Sequence, residues 1–204
     1  MSQPERERGR GRFIAFEGGE ACGKSTQARL LADALGAVLT REPGGTPLGE
    51  RVRALLLDPA SGDIDGRAEA LLVAAARAQH VRDVISPALA AGRDVVTDRF
   101  SGSSIAYQGY GRGLAVDEVR SLSTFASDGL WPDLTVLLVV SAPLGVIGSP
   151  DRFEAAGDQF HARVEEGFLH QAADDPEGWV VINGEGTELE VAKRVLDVVL
   201  RRVP

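Results

Sequence analysis

The stretch Gly18-Gly19-Glu20-Ala21-Cys22-Gly23-Lys24-Ser25 decides how the chain is read, because it fits the pattern G-x-x-x-x-G-K-[ST]. Before it, residues 13–17 are short, apolar and β-branched or aromatic, as in a buried strand. After it, residues 26–35 repeat apolar side chains at helical spacing. Strand, glycine-rich loop and helix in that order make an anion site. The helix N-terminus presents unpaired N–H groups and a partial positive charge, and the glycines let the backbone curl around phosphate. Lys24 can reach the β- and γ-phosphates of a nucleoside triphosphate, and the Ser25 hydroxyl can ligate Mg²⁺.

The rest of the chain alternates in the same way. Strands are expected at 37–40, 94–97, 133–140 and 179–182, and helices at 48–57, 67–91, 116–126, 159–173 and 188–203. In the long stretch 67–91, Leu71, Leu72, Ala75, Val81, Val84 and Leu89 supply an apolar face, with Pro87 disturbing its end. Residues 41–47 and 108–114 read as loops because proline and glycine punctuate them, and 101–107 as a helical turn. Strand 133–140 is apolar almost throughout, as a parallel sheet covered on both faces requires. Asp98 and Arg99 stand just past a strand's carboxyl end, where open α/β sheets place their ligands.

Composition excludes several classes. With 204 residues the chain suits one domain with a real core. A formal net charge of −8 argues against nucleic-acid polymers and anionic membranes as partners. No segment reads as a bilayer span or a signal peptide. Cys22 is the only cysteine, so no internal disulfide can form, which suits the reducing cytoplasm. Residues 1–11, charged and glycine-bearing, read as a disordered leader, and 12–204 as a single domain. His80, His161 and His170 are scattered and read as surface or packing residues.

Several stretches together resemble the bacterial thymidylate kinases. They are Phe16-Glu17-Gly18 leading into the glycine-rich loop, Thr40-Arg41-Glu42-Pro43-Gly44-Gly45-Thr46-Pro47, Arg77-Ala78-Gln79-His80, Asp98-Arg99-Phe100, Ala106-Tyr107-Gln108-Gly109-Tyr110-Gly111-Arg112-Gly113, Pro132-Asp133-Leu134-Thr135 and Asp151-Arg152-Phe153-Glu154. The resemblance runs from about Phe13 to the last helix. It implies a P-loop NTPase fold: a three-layer α/β sandwich with a five-stranded parallel sheet, helices on both faces, and a short mobile lid over about 143–157. It implies transfer of the ATP γ-phosphoryl to dTMP, giving ADP and dTDP on the way to dTTP. Mg²⁺ is the implied cofactor, ATP and dTMP the implied partners, and a homodimer the implied assembly.

Carried over residue by residue, the resemblance makes Gly18, Gly19, Glu20, Ala21, Cys22, Gly23, Lys24, Ser25 and Thr26 the ATP-binding segment. Lys24, Asp98, Arg99 and Arg152 are the implied catalytic set, with Ser25 and Asp98 at the metal. Arg99 matches the arginine on the dTMP phosphate; its alternative is an ion pair with Asp98. Arg41 and Arg53 resemble further phosphate-side arginines, with Glu42 ordering them; for Arg53 a solvated charge competes. Glu20 matches the acid on the deoxyribose 3′-hydroxyl, and Glu17 reads as structural. Arg77, Ser104 and Gln108 match the thymine edge, and Tyr107 the ring that fills the space of a 2′-hydroxyl, against a plain packing role.

Four departures from the family pattern stand out. Val73 stands where an aromatic usually stacks on thymine. Gly102 and Val139 each replace an aspartate. Ala21 leaves the loop without the arginine that some members carry there, and residues 143–150, shorter than the usual lid, contain none. Arg152 is then the remaining lid candidate for the transferring phosphoryl, its alternative being an ion pair with Asp151 or Glu154. Two rival functions stay open: a P-loop kinase of another small phosphoacceptor, and a catalytically weakened nucleotide-binding homologue with a truncated lid.

Overall fold

The computed structural model describes residues 9–141 and 151–203. Five strands, β1 Phe13–Glu17, β2 Val38–Arg41, β3 Val95–Asp98, β4 Leu134–Val139 and β5 Trp179–Asn183, pair in the order β2-β3-β1-β4-β5. Every pair is parallel. The strands alternate with helices α1 Lys24–Leu35, α2 Pro47–Leu57, α3 Gly66–His80, α4 Ser86–Ala90, α5 Ser101–Ser104, α6 Val116–Ala126, α7 Asp158–Asp174 and α8 Glu188–Arg202. The parallel α/β class read from the sequence is what the chain adopts, with strand limits within about one residue.

The three central strands are buried along almost their whole length, whereas β2 alternates and β5 exposes Val181. Central parallel strands are covered on both faces, so they carry unbroken apolar runs. On one face Val191, Val195 and Val199 of α8 lie one helical turn apart and close over β1 and β4 together with α1. Burying each such side chain is worth about 1.5–3 kcal/mol. The Thr187–Glu190 capping box starts α8 at the right place. Because the chain runs from β1 to β2 and β3 on one side of it and then crosses to β4 and β5 on the other, the carboxyl end of β1 is a topological switch point.

Two helical expectations needed correction. Residues 67–91 are helical almost throughout, as expected, but not as one regular α-helix: α3 ends at His80, a wide π turn spans Val81–Ile85, and α4 resumes at Ser86. Pro87 has no N–H for the carbonyl four residues back, and the wide turn absorbs that mismatch. The apolar face of α3 also differs, since Leu71 and Ala75 are exposed while Glu69, Arg77 and His80 are buried. The loop expected at 108–114 is helical as far as Gly111, because α5 continues as a π turn over Ile105–Gly111. Its glycines serve packing: a Cβ on Gly111 would stand 2.6 Å from the Phe160 ring of α7.

Residues 1–8 and 142–150 lie outside the described residues, and with them most of the expected leader and lid. Within the leader stretch, Arg10 pairs with Asp133 at 2.9 Å and the Gly11 N–H donates to the Leu89 carbonyl. No helix among the described residues is long and apolar enough to cross a membrane.

Candidate active site

The loop after β1 is shaped by its glycines. Gly18 has φ 147°, and a Cβ there would stand 2.6 Å from the Leu138 carbonyl oxygen of β4. Gly23, at φ 87°, caps α1 without a side-chain acceptor, so the first N–H groups of α1 face the loop. Lys24 is 6% exposed and donates to the Gly19 carbonyl at 2.8 Å. Burial, then Arg99, pushes its pKa down. Cys22 points the other way: it is 3% exposed and packs with Ile14, Phe16 and Leu138 in the core.

The Ser25 hydroxyl donates to Asp98 Oδ2 at the end of β3. The other carboxylate oxygen, Asp98 Oδ1, is buried and has no hydrogen-bond partner among the described residues. A hydroxyl and an unsatisfied carboxylate oxygen are the hard oxygen donors that Mg²⁺ prefers, so these two residues fit the metal.

Arg99 follows directly, with φ 70°, a left-handed conformation that costs a non-glycine residue roughly 1–3 kcal/mol and that clusters at functional sites. The turn directs the side chain into a dense network. One guanidinium nitrogen donates to the Gly18 carbonyl at 3.1 Å and to Ser103 at 3.0 Å. The other donates to Glu20 at 2.7 Å and to the Tyr107 hydroxyl at 3.1 Å. The salt bridge of Arg99 is with Glu20, not with Asp98. Burial opposes ionisation of Glu20, but Arg99 and then Lys24 bring its pKa down to about 2. The Tyr107 hydroxyl donates to the same carboxylate, and its ring is held edge-on by Phe153, Phe160 and Phe168. Burial pushes the Tyr107 pKa up.

Glu17 supports this network from behind. It is fully buried and accepts from the Phe100 N–H at 3.0 Å and the Ser103 N–H at 2.8 Å, at the start of α5. Burial raises its pKa to about 7 against the pull of Ser103 and Arg99.

Two adjoining cavities share Glu20, Glu42, Arg53 and Arg99. One extends to the loop and holds Lys24, Ser25, Arg41 and Asp98. The other holds Val73, Arg77, Ser104, Tyr107 and Gln108, closed by Phe100 and Phe153. All these sequence candidates therefore line one continuous cleft at the switch point. Their partners are not all those expected. Glu42 binds Arg77 at 2.8 Å and His80 at 2.9 Å, whereas Arg41 pairs with Glu50 and Arg53 donates to the Pro43 carbonyl. Burial, then Arg41, pushes the Arg53 pKa down. His80 is no surface residue: it is fully buried, between Glu42 and the Thr40 hydroxyl. Arg77 is fixed by Glu42, Ser104 and Ser123, with its guanidinium 5.0 Å from the Phe100 ring centroid.

The family model described as thymidylate kinase matches residues 16–195. The chain belongs to the thymidylate kinase family. A thymidylate kinase of Cutibacterium acnes is 48% identical over 192 residues, covering 91% of this chain and 94% of that protein. One of Cereibacter sphaeroides is 47% identical over 199 residues, covering 90% and 92%. The crystal structure of thymidylate kinase from Ehrlichia chaffeensis superposes with a TM-score of 0.79 at 34% identity, covering 93% of this chain and 98% of that one.

Among thymidylate kinases this chain's departures now have surroundings. A Cβ on Gly102 would stand 2.8 Å from both Glu17 Oε1 and the Trp179 ring, so an aspartate there would press a second carboxylate against Glu17. Val73 lines the cleft without an aromatic face. For Arg152 the structure shows a partner that neither expectation named. It bonds no loop residue at the phosphate end among the described residues, and it pairs with neither Asp151 nor Glu154. It is held by Glu69 and by the Leu56 carbonyl at 2.8 Å.

Glu69, Arg112 and Ser123 escaped the sequence reading. Glu69, Val73 and Arg77 stand at intervals of four on α3, a stripe that turns a carboxylate, a valine and a guanidinium to one side. That spacing was the available signal, and the apolar residues between them masked it.

Proposed function

We propose that this member of the family transfers the γ-phosphoryl group of ATP to dTMP, giving ADP and dTDP. The observation that carries the reading is the shared wall of Glu20, Arg53 and Arg99 between a phosphate-loop cavity and a cavity lined for a nucleobase. The acceptor is a phosphate monoester with a second pKa near ~6, so at neutral pH it is largely dianionic and needs no strong general base. The work left to the protein is to align two polyanions and offset their repulsion.

In this reading Lys24 exchanges the Gly19 carbonyl for the β- and γ-phosphates. Arg99 presents its planar fork to the acceptor phosphate, with Arg41 and Arg53 as further cations beside it. Glu20, released by Arg99, accepts from the deoxyribose 3′-hydroxyl. Arg77, Ser104 and Gln108 read the thymine edge, Val73 packs on its face, and the Tyr107 ring fills the 2′ side. Asp98 Oδ1 and Ser25 Oγ would hold Mg²⁺, which when bound neutralises charge on the phosphate oxygens. Arg152 is left out of the reacting set because Glu69 holds it.

The rival functions gain no support from the comparisons. We read residues 12–204 as a single kinase domain acting in the cytoplasm as a homodimer. The dimer draws support from Leu71 and Phe125, 59% and 86% exposed on the packed helices α3 and α6. The test is a coupled ADP-release assay with dTMP, dUMP, dCMP and dGMP, run on the wild type and on Lys24→Ala. Turnover favouring dTMP and abolished in the variant is expected. ATP and dTMP binding without turnover in the wild type would refute the proposal.

A further inference from the structure

The carboxylate of Glu69 is fully buried on α3 and gathers three side chains from other elements. Gln108 donates through Nε2 at 2.8 Å. Arg112 donates through Nε at 3.2 Å and Nη2 at 3.1 Å, and Arg152 through Nη2. Set between two guanidinium groups, this carboxylate offers acceptors only. It therefore dictates which end of the Gln108 amide turns toward it, namely the NH₂. The other end, Oε1, has no partner among the described residues. Gln108 lines the base-side cavity, so Oε1 is the end of its amide left for a ligand there.

We propose that Glu69 is a positioning residue for base selection: by holding the Gln108 NH₂, it makes Gln108 an acceptor toward the base. This rests on the reading of the cavity as the dTMP site. An acceptor at that edge suits a pyrimidine whose N3 carries hydrogen, as in thymine and uracil. Cytosine presents a lone pair at N3 and would leave two acceptors facing each other. An amide free to rotate could serve either base, so Gln108 alone does not discriminate between them. The discrimination lies in what Glu69 forbids. A site that leaves a buried polar group unpaired rejects the wrong substrate far more strongly than one lacking a methyl contact.

The experiment compares kcat/KM for dTMP and dCMP in the wild type and in Glu69→Gln. The glutamine can donate or accept, so it no longer orients Gln108. The dTMP/dCMP ratio should fall by about tenfold or more, the scale of one buried unpaired group. A merely structural Glu69 would lower both rates and leave the ratio unchanged, which would overturn the proposal. The two readings fail separately. If the wild type does not discriminate, the cavity is not a thymine site and both fall; if wild type and variant discriminate equally, only the role of Glu69 falls. Should the variant not fold, the wild type still decides. In protein labelled with ¹⁵N at glutamine side chains, the Gln108 Nε2 protons should keep their chemical shift when dTMP is added. A large shift would mark them as donors to the base and overturn the proposal.

Discussion

Truncating Arg152 to alanine removes a guanidinium that is 10% exposed, paired with the fully buried Glu69 and bonded to the Leu56 carbonyl. Deleting one partner of a buried pair costs about 3–5 kcal/mol, because the other charge stays buried. Here Glu69 keeps Arg112 at 3.1 Å and Gln108 at 2.8 Å, so the loss should sit lower, at about 2–3 kcal/mol. For a chain of this size each kcal/mol moves Tm by about 2–4 °C, which gives a fall of roughly 4–12 °C. The assay is a thermal melt at fixed protein concentration, with kcat measured on the same preparation well below Tm. If Arg152 instead clamps the transferring phosphoryl, its loss should lower kcat by roughly 10³–10⁵. An unchanged Tm with a kcat loss of that size would refute the structural role argued here.

Glu17 should make stability depend on pH. Its folded pKa of about 7 lies above the ordinary carboxyl value, so the stability linked to its proton is full below about 4.5 and is lost as pH rises through 7. Glu17→Gln should remove that slope, so Tm-against-pH curves for variant and wild type must diverge between pH 5 and 8; parallel curves would rule this out. Tyr107→Phe should keep the preference for dTMP over its ribonucleotide, since ring bulk fills the 2′ side, whereas Tyr107→Ala should narrow it. Equal kcat/KM ratios in wild type and Tyr107→Ala would remove that ring from the site. Cys22, buried among Ile14, Phe16 and Leu138, should react slowly with an alkylating reagent even without ATP and faster in mild urea. Labelling of the native protein at the rate of an open thiol would show that Cys22 faces solvent.

Much of this protein was legible before its structure. Gly18 through Ser25 is legible because loop and helix start are made by consecutive residues, and Gly18 and Gly23 adopt the positive φ their type allows. The central strands are legible because burial on both faces demands unbroken apolar runs such as Leu134–Val139. The resemblance supplied the rest of the cleft, from Arg41 to Gln108.

Only the tertiary structure decided which charge meets which. Glu42 chooses Arg77, 35 residues away, over the neighbouring Arg41. Arg99 chooses Glu20, 79 residues away, over the adjacent Asp98. Gly109 and Gly111, read as loop signals, serve close packing inside a helical segment, against Val116 and Phe160. A charged side chain is long and pairs with whatever the packed elements bring within about 3 Å, a distance set by sheet order and helix placement. Local pattern fixes the backbone of a segment. It says little about the partners of a buried carboxylate such as Glu69, which exist only once α3, the turn after α5 and the segment at Arg152 have met.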